Sequence, residues 1–286
     1  MYKIHCFVFA VLSMFTSLSA QGQDSGSLLW EVSGKGLSKP SYLFGTFHLL
    51  CPTEMEIAKP ALAVVDRCEQ VFLELDFDDP QMMAQMQAQM GMKDGKTIDK
   101  LISERKFAQL DSQFTKMSGI PLKLVAGMKP LLLASMLYPG VLGCNPSSPE
   151  GELAKKALEQ KKEVIGLETV ARQMEVFDQI PYAVQADLLY EYVTSGNRFA
   201  KETQEMIEVY RKADLNGLYK IMADPAYGLD KYNDILLVKR NQEWIAVIEK
   251  AMQSKPSLFA VGAGHLPGEQ GVIALLRKQG YTVKPL

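Results

Sequence analysis

Short apolar runs with β character mark both ends of the chain, and helical spacing fills the long stretch between them. Residues 28–32 and 42–47 are β-rich. They are separated by the turn-like cluster Ser33-Gly34-Lys35-Gly36, with Lys39-Pro40 following, which predicts a hairpin feeding a buried strand. Positions 57–66 have apolar residues at helical spacing, and 70–76 reads as the next strand. Strand, helix, strand is how a parallel sheet with crossover helices usually begins.

The middle is predicted to be mostly helical, over 80–92 (rich in Met and Gln), 103–118, 130–137, 152–160 and 169–177, then over the long stretches 183–212 and 232–252. A short strand, Val164-Ile165-Gly166-Leu167, interrupts it, and 139–149 is the best loop candidate because Pro, Gly and Ser cluster there. The pattern then returns to strand at Leu258-Phe259-Ala260-Val261, followed by a helix over 268–279 and a last strand at 281–283. The expected fold class is mixed α/β (α+β), with β-rich N- and C-terminal parts forming a sheet core around a largely helical middle. One domain over residues 21–286 accounts for the pattern.

The first twenty residues stand apart. Lys3 precedes a mostly apolar run, and Ser17-Leu18-Ser19-Ala20 supplies small residues before a cleavage point after Ala20. This reads as a signal peptide, too short to serve as a bilayer span, and predicts a periplasmic or secreted protein. No later segment is long and apolar enough to span a membrane. Net charge is −2 with no basic stripe, which argues against nucleic acid as a partner. Without Cys6, three cysteines remain, enough for one bridge and one free thiol. Cys51–Cys68 would clip a helix to the loop before it; Cys51–Cys144 is the alternative.

Beyond the leader the chain has two histidines, and each closes a Gly-x-x-His motif directly after a predicted strand: Gly45-Thr46-Phe47-His48 and Gly262-Ala263-Gly264-His265. A strand-end glycine lets the backbone pass close to a neighbour or ligand, and the carboxyl edge of an open α/β sheet is where ligands bind. The plainer reading is a pair of histidines hydrogen-bonded in turns. Two imidazoles do not complete a catalytic metal site, which usually takes three protein ligands and leaves a position for water. Glu74 is the candidate third ligand, because Val71-Phe72-Leu73-Glu74-Leu75 would bury a lone carboxylate. An arginine partner would relieve the same cost. Imidazole plus carboxylate suits manganese, cobalt or zinc. Arg240, on a long predicted helix before Trp244, could clamp a substrate carboxylate or stabilise an oxyanion, or could lie on an exposed face. Glu168, between a strand end and a helix start, either touches the site or caps the helix by favouring its positive end, with the cap the first choice. Met82, Met86 and Met90 read as a packing stripe or flexible lid.

Taken in order, Tyr42-Leu43-Phe44-Gly45-Thr46-Phe47-His48, Val71-Phe72-Leu73-Glu74-Leu75-Asp76, Gly166-Leu167-Glu168-Thr169, Arg240-Asn241 with Trp244, and Val261-Gly262-Ala263-Gly264-His265-Leu266 resemble the TraB/GumN family, which includes the Tiki metalloproteases. The resemblance covers nearly the whole chain beyond the leader. It implies a metal-dependent peptidase in which both Gly-x-x-His motifs are needed, pointing to His48 and His265, with Glu74 as the acidic residue and Arg240-Asn241 as the Arg-Asn pair. The wider superfamily is similar to erythromycin esterases and to a haem-binding lipoprotein, so one pocket serves several chemistries. Relatives often carry Gly-x-Asp before the helix that starts near residue 152. Here Ser147-Ser148-Pro149-Glu150-Gly151-Glu152 stands in that place, which leaves the aspartate's role to Glu150 or to nothing.

The expected function is an exported metal-dependent hydrolase, a peptidase acting on a peptide or protein. His48, His265 and Glu74 are the candidate metal ligands, and Glu74 and Arg240 the candidate catalytic groups. The alternative is a non-catalytic periplasmic binding protein for a peptide, haem or another small ligand.

Overall fold

The protein is described by a computed structural model covering residues 26–286; the predicted leader lies outside the described residues. Six strands form one sheet: β1 (Leu29–Ser33), β2 (Ser41–Thr46), β3 (Gln70–Leu73), β4 (Glu163–Gly166), β5 (Ser257–Gly262) and β6 (Thr282–Pro285), in the order β4-β3-β5-β2-β1-β6. β4, β3, β5 and β2 run parallel, and β1 pairs antiparallel with both β2 and β6.

Sequence explains which strands are central. β2 (SYLFGT) is buried at every position and β5 (SLFAVG) at all but its last, the continuous pattern of a strand covered on both faces. The outer strands β4 and β6 instead expose polar positions, including Glu163 and Lys284. Phe72 of β3 lies opposite Phe259 of β5, with ring centroids 5.0 Å apart, and such stacking contributes about 1 kcal/mol beyond burial alone. The helix Pro149–Glu159 packs on β3 and β4, while Lys239–Ser254 packs on β5 and on Val272–Lys278.

The mixed α/β expectation holds, with its sheet core and helical middle. The middle has an apolar cluster of its own, built around Leu110, Phe114, Leu133, Leu137 and Leu189. Several boundaries differ from the periodicity. The stretch 183–212 is two helices, Tyr182–Thr194 and Arg198–Arg211, because Gly196 takes a left-handed φ of 66° and ends the first. The stretch 232–252 opens with a π-helical turn, Asp234–Val238, before Lys239–Ser254 continues as α-helix. The predicted loop at 139–149 begins with one short helix, Tyr138–Leu142. Among the described residues no helix is long and apolar enough to cross a membrane.

The disulfide joins Cys51 to Cys144, and Cys68 is a buried free thiol, so the Cys51–Cys68 alternative is not the one adopted. An isolated bridge pairs Leu50 with Ser147 beside it. Together they fasten the loop after β2 to the loop before Pro149–Glu159.

Candidate functional site

The carboxyl ends of the four parallel strands meet at one place. β2 runs out into His48, β3 into Glu74, β4 into Glu168 and β5 into His265. The register sets Thr46 opposite Gly262, and Leu73 opposite both Ala260 and Gly166. The two motif glycines permit the convergence. A Cβ on Gly45 would lie 3.1 Å from the Ala263 Cα, so the turn carrying His265 could not pack as it does. A Cβ on Gly262 would lie 3.2 Å from Glu74 Oε1 and 3.3 Å from His48 Nε2, filling the space those two atoms face. The Gly262 N–H donates to Glu74 Oε1 at 2.8 Å.

His48 forms one half of the site with Glu150. Its Nδ1 lies 2.6 Å from Glu150 Oε1, which also accepts from Thr46 Oγ1 at 2.6 Å, while Ser148 Oγ donates to Glu150 Oε2 at 2.7 Å. Glu150 sits in the first turn of Pro149–Glu159, where the helix dipole favours a negative charge. Burial opposes its ionisation, but His48 and the two hydroxyls hold its pKa below the ordinary value. The His48 ring loses hydration to the pocket walls, which disfavours its charge. The Glu150 carboxylate outweighs that loss, Glu74 adds to it, and the pKa is pushed up to about 9. The outer edge of the ring is open, with 65% of the side chain exposed, so water screens part of the attraction; the upward direction rests on the 2.6 Å contact.

The other half is built around Arg240, which the helix Lys239–Ser254 carries into the interior with only 7% of its surface exposed. Its Nε donates to the Glu168 carboxylate, Nη2 to Glu168 Oε1 at 2.5 Å and Glu74 Oε2 at 2.6 Å, and Nη1 to Leu236 O and His265 Nε2, each at 3.0 Å. Every guanidinium N–H is therefore used. The tautomer of His265 follows from its partners. Asn241 Oδ1 accepts from Nδ1–H at 2.6 Å, leaving Nε2 as the acceptor for Arg240. Asn241 Nδ2 is fixed in turn by the carbonyls of His265 and Gln270. Burial pushes the His265 pKa down to about 3; Glu74 opposes the fall, and Arg240 and His48 add to it. Glu74 is buried, which raises its pKa, but Arg240, His265 and His48 together hold it far below the carboxylate range. The site thus holds one charged imidazole and one neutral one.

The structure brings His48, His265, Glu74 and Arg240 together. Glu74 has the arginine partner that the sequence left as an alternative to a cation, and Arg240 is buried rather than on an exposed face. Glu168 is not the helix cap: Thr169 caps Val170–Asp178 by accepting from Arg172 N, and Glu168 turns inward to Arg240. Gln173, which donates to both Glu74 and Glu168, had no signal in the sequence. The sequence offered Glu150 as the stand-in for an aspartate, but its partnership with His48 had no signal in the spacing.

Among the described residues no group of three or more His, Cys, Asp or Glu side chains stands ready to hold a metal ion. The donors nevertheless fit a divalent cation in kind. Each imidazole is anchored through Nδ1, as metal-bound histidines are, leaving Nε2 for a ligand. His48 Nε2 and Glu74 Oε1 border the space that a Gly262 Cβ would fill. Two obstacles stand in the way: Arg240 occupies His265 Nε2 and Glu74 Oε2, and the charged His48 ring carries an Nε2 proton that ligation would have to displace.

The chain as a whole is similar in sequence to known proteins. The chain is 24% identical over 317 aligned residues to "Metalloprotease TIKI2" of Danio rerio, covering 92% of this chain and 61% of that protein. It is 23% identical over 321 residues to "Metalloprotease TIKI1" of Danio rerio, covering 91% and 63%. "Metalloprotease TIKI2" of Xenopus tropicalis is 22% identical, covering 92% and 60%. The chain therefore spans about three fifths of the length of these relatives. No solved structure matches it. The model of the TraB/PrgY/gumN family matches residues 28–285, nearly all of the described chain, and the protein belongs to that family.

Proposed function

We propose that this protein is an exported metal-dependent hydrolase that cleaves peptides. The observation that carries the reading is the convergence of two Nδ1-anchored imidazoles and a buried carboxylate at the carboxyl edge of the sheet. Its likeness to metalloproteases supports the reaction class. The Cys51–Cys144 disulfide fits the oxidising compartment, periplasmic or extracellular, to which the pattern of residues 1–20 points.

His48, His265 and Glu74 would hold a divalent metal, manganese, cobalt or zinc. When bound, such an ion supplies Lewis acidity, which polarises a carbonyl and acidifies water. The remaining work belongs to this chain's own residues. Glu150 and Asn241 orient the two rings from behind. Glu168 and Leu236 O hold Arg240 independently of its bonds to His265 Nε2 and Glu74 Oε2, so the guanidinium would stay in place if those two atoms held the metal. The two N–H groups that face those atoms would then donate to the negative oxygen that develops as an amide is attacked.

The test is metal analysis of the purified protein after loading with manganese, cobalt or zinc, beside a His265→Ala variant checked for folding by circular dichroism. Peptide-library cleavage is measured with each metal. The expected results are metal-stimulated cleavage and reduced metal content in the variant. Unchanged metal content would overturn the ligand assignment, and no cleavage with any metal would leave the binding-protein alternative.

A further inference from the structure

A cavity of about 330 Å³ opens directly beside His48 and His265, within the size range of small-ligand clefts. Its other walls are mainly apolar, including Phe47, Met206, Leu218, Met222 and Leu237, and among the described residues no Lys, Arg, Asp or Glu lines it. A second cavity of about 220 Å³ adjoins it, with Tyr138, Met206 and Met222 lining both. The second has Glu202, Asn233 and Thr203 in its lining, and the buried Thr203 hydroxyl has no hydrogen-bond partner among the described residues.

Two local features tie the nearer cavity to the histidine site. Met222 packs onto the second glycine of the His265 motif: a Cβ on Gly264 would come within 2.3 Å of the Met222 sulfur. The π-helical turn Asp234–Val238 sets Leu236 on the farther cavity and Leu237 on the nearer one, immediately before Arg240 enters the site. Such turns recur at functional sites because the extra residue re-aims the side chains that follow.

We propose that the nearer cavity receives a large apolar side chain adjoining the cleaved bond of a peptide substrate, and so sets sequence preference. Among Phe47, Met206, Leu218, Met222 and Leu237 a basic or small polar side chain would lose hydration with little to replace it. The two methionines, flexible and unbranched, let the wall adapt to aromatic and long aliphatic groups alike. Cleavage next to this side chain rests on the hydrolase reading; occupation of the cavity does not.

The experiment separates the two. Methionine methyl groups are labelled with carbon-13, and Met206 and Met222 are followed by NMR during titration with N-acetyl-phenylalaninamide or N-acetyl-serinamide. The phenylalanine probe is expected to shift both methyls and to bind at least about tenfold more tightly, the usual scale for discrimination by an apolar pocket. Met222→Trp, which fills the cavity, should weaken it at least about tenfold. Met222→Ala, which cannot overfill, should improve binding of N-acetyl-tryptophanamide. In the peptide library, cleavage should favour Phe, Leu or Met at one position flanking the cut, and Met222→Trp should abolish that preference. Equal binding of both probes, shifts confined to other methionines, or cleavage indifferent to the flanking residue would overturn the proposal. If no peptide is cut but the phenylalanine probe binds and is expelled by Met222→Trp, the hydrolase reading falls and the cavity assignment stands.

Discussion

Arg240 is the most heavily bonded charge in the site, and removing it should show what it neutralises. In Arg240→Met the side chain keeps enough length to lie over Trp244, whose ring centroid is 4.8 Å from the guanidinium carbon, so packing is largely retained. The charge is not. The side chains of Glu74 and Glu168, 9% and 3% exposed, would face each other across the vacated space with only Gln173 donating to both. Breaking a buried pair from one side costs about 3–5 kcal/mol, because the surviving charge is left without a partner or water. Against a total stability of about 5–15 kcal/mol that is a large fraction. The assay is urea denaturation at pH 7 with chelator present, followed by far-UV circular dichroism. The double variant Arg240→Met/Glu168→Gln removes one of the orphaned charges and should recover at least half of the loss. A single-variant cost below about 1 kcal/mol, or a double variant no more stable than the single, would refute the claim that Arg240 holds two buried carboxylates together.

Two further outcomes follow from the other half of the site. The His48 ring should titrate by NMR with a pKa near 9, and Glu150→Gln should return it toward about 6.5. A folded pKa above the unfolded one means that the contribution of this pair to stability is complete below pH about 6.5 and disappears as pH rises through 9. A His48 pKa that stays above about 8 in Glu150→Gln would remove Glu150 as the cause. The Cys51–Cys144 disulfide closes a loop with a sequence separation of 93 and fastens the segments bearing His48 and Glu150. Replacing both cysteines by serine should cost about 2–4 kcal/mol, lowering Tm by at least about 5 °C in calorimetry, and should bring the His48 pKa down. An unchanged Tm and an unchanged His48 titration would show that the clamp is idle.

What the sequence by itself determined was local and periodic. Continuous apolar runs at 42–47 and 258–261 announced buried parallel strands, and a Gly-x-x-His placed directly after each strand pointed to one sheet edge. The helical middle was legible for the same reason. Its interruptions were not, since a single left-handed glycine at 196 and one π-helical turn at Asp234–Val238 leave the average periodicity almost untouched.

Only the tertiary structure decided which charges meet. Glu168 and Arg240 are 72 residues apart and Glu150 and His48 are 102 apart, and nothing in the spacing of either pair along the chain couples them. An isolated glutamate before a helix looks like a cap until the sheet order β4-β3-β5-β2 brings its strand end within reach of an arginine on a later helix. The same holds for the two histidines. The sequence makes them a matched pair, but the upward shift of one and the downward shift of the other come from what surrounds each ring: a carboxylate behind His48, and burial beside a guanidinium for His265. Protonation is set by neighbours in space, and neighbours in space are what the folded sheet supplies.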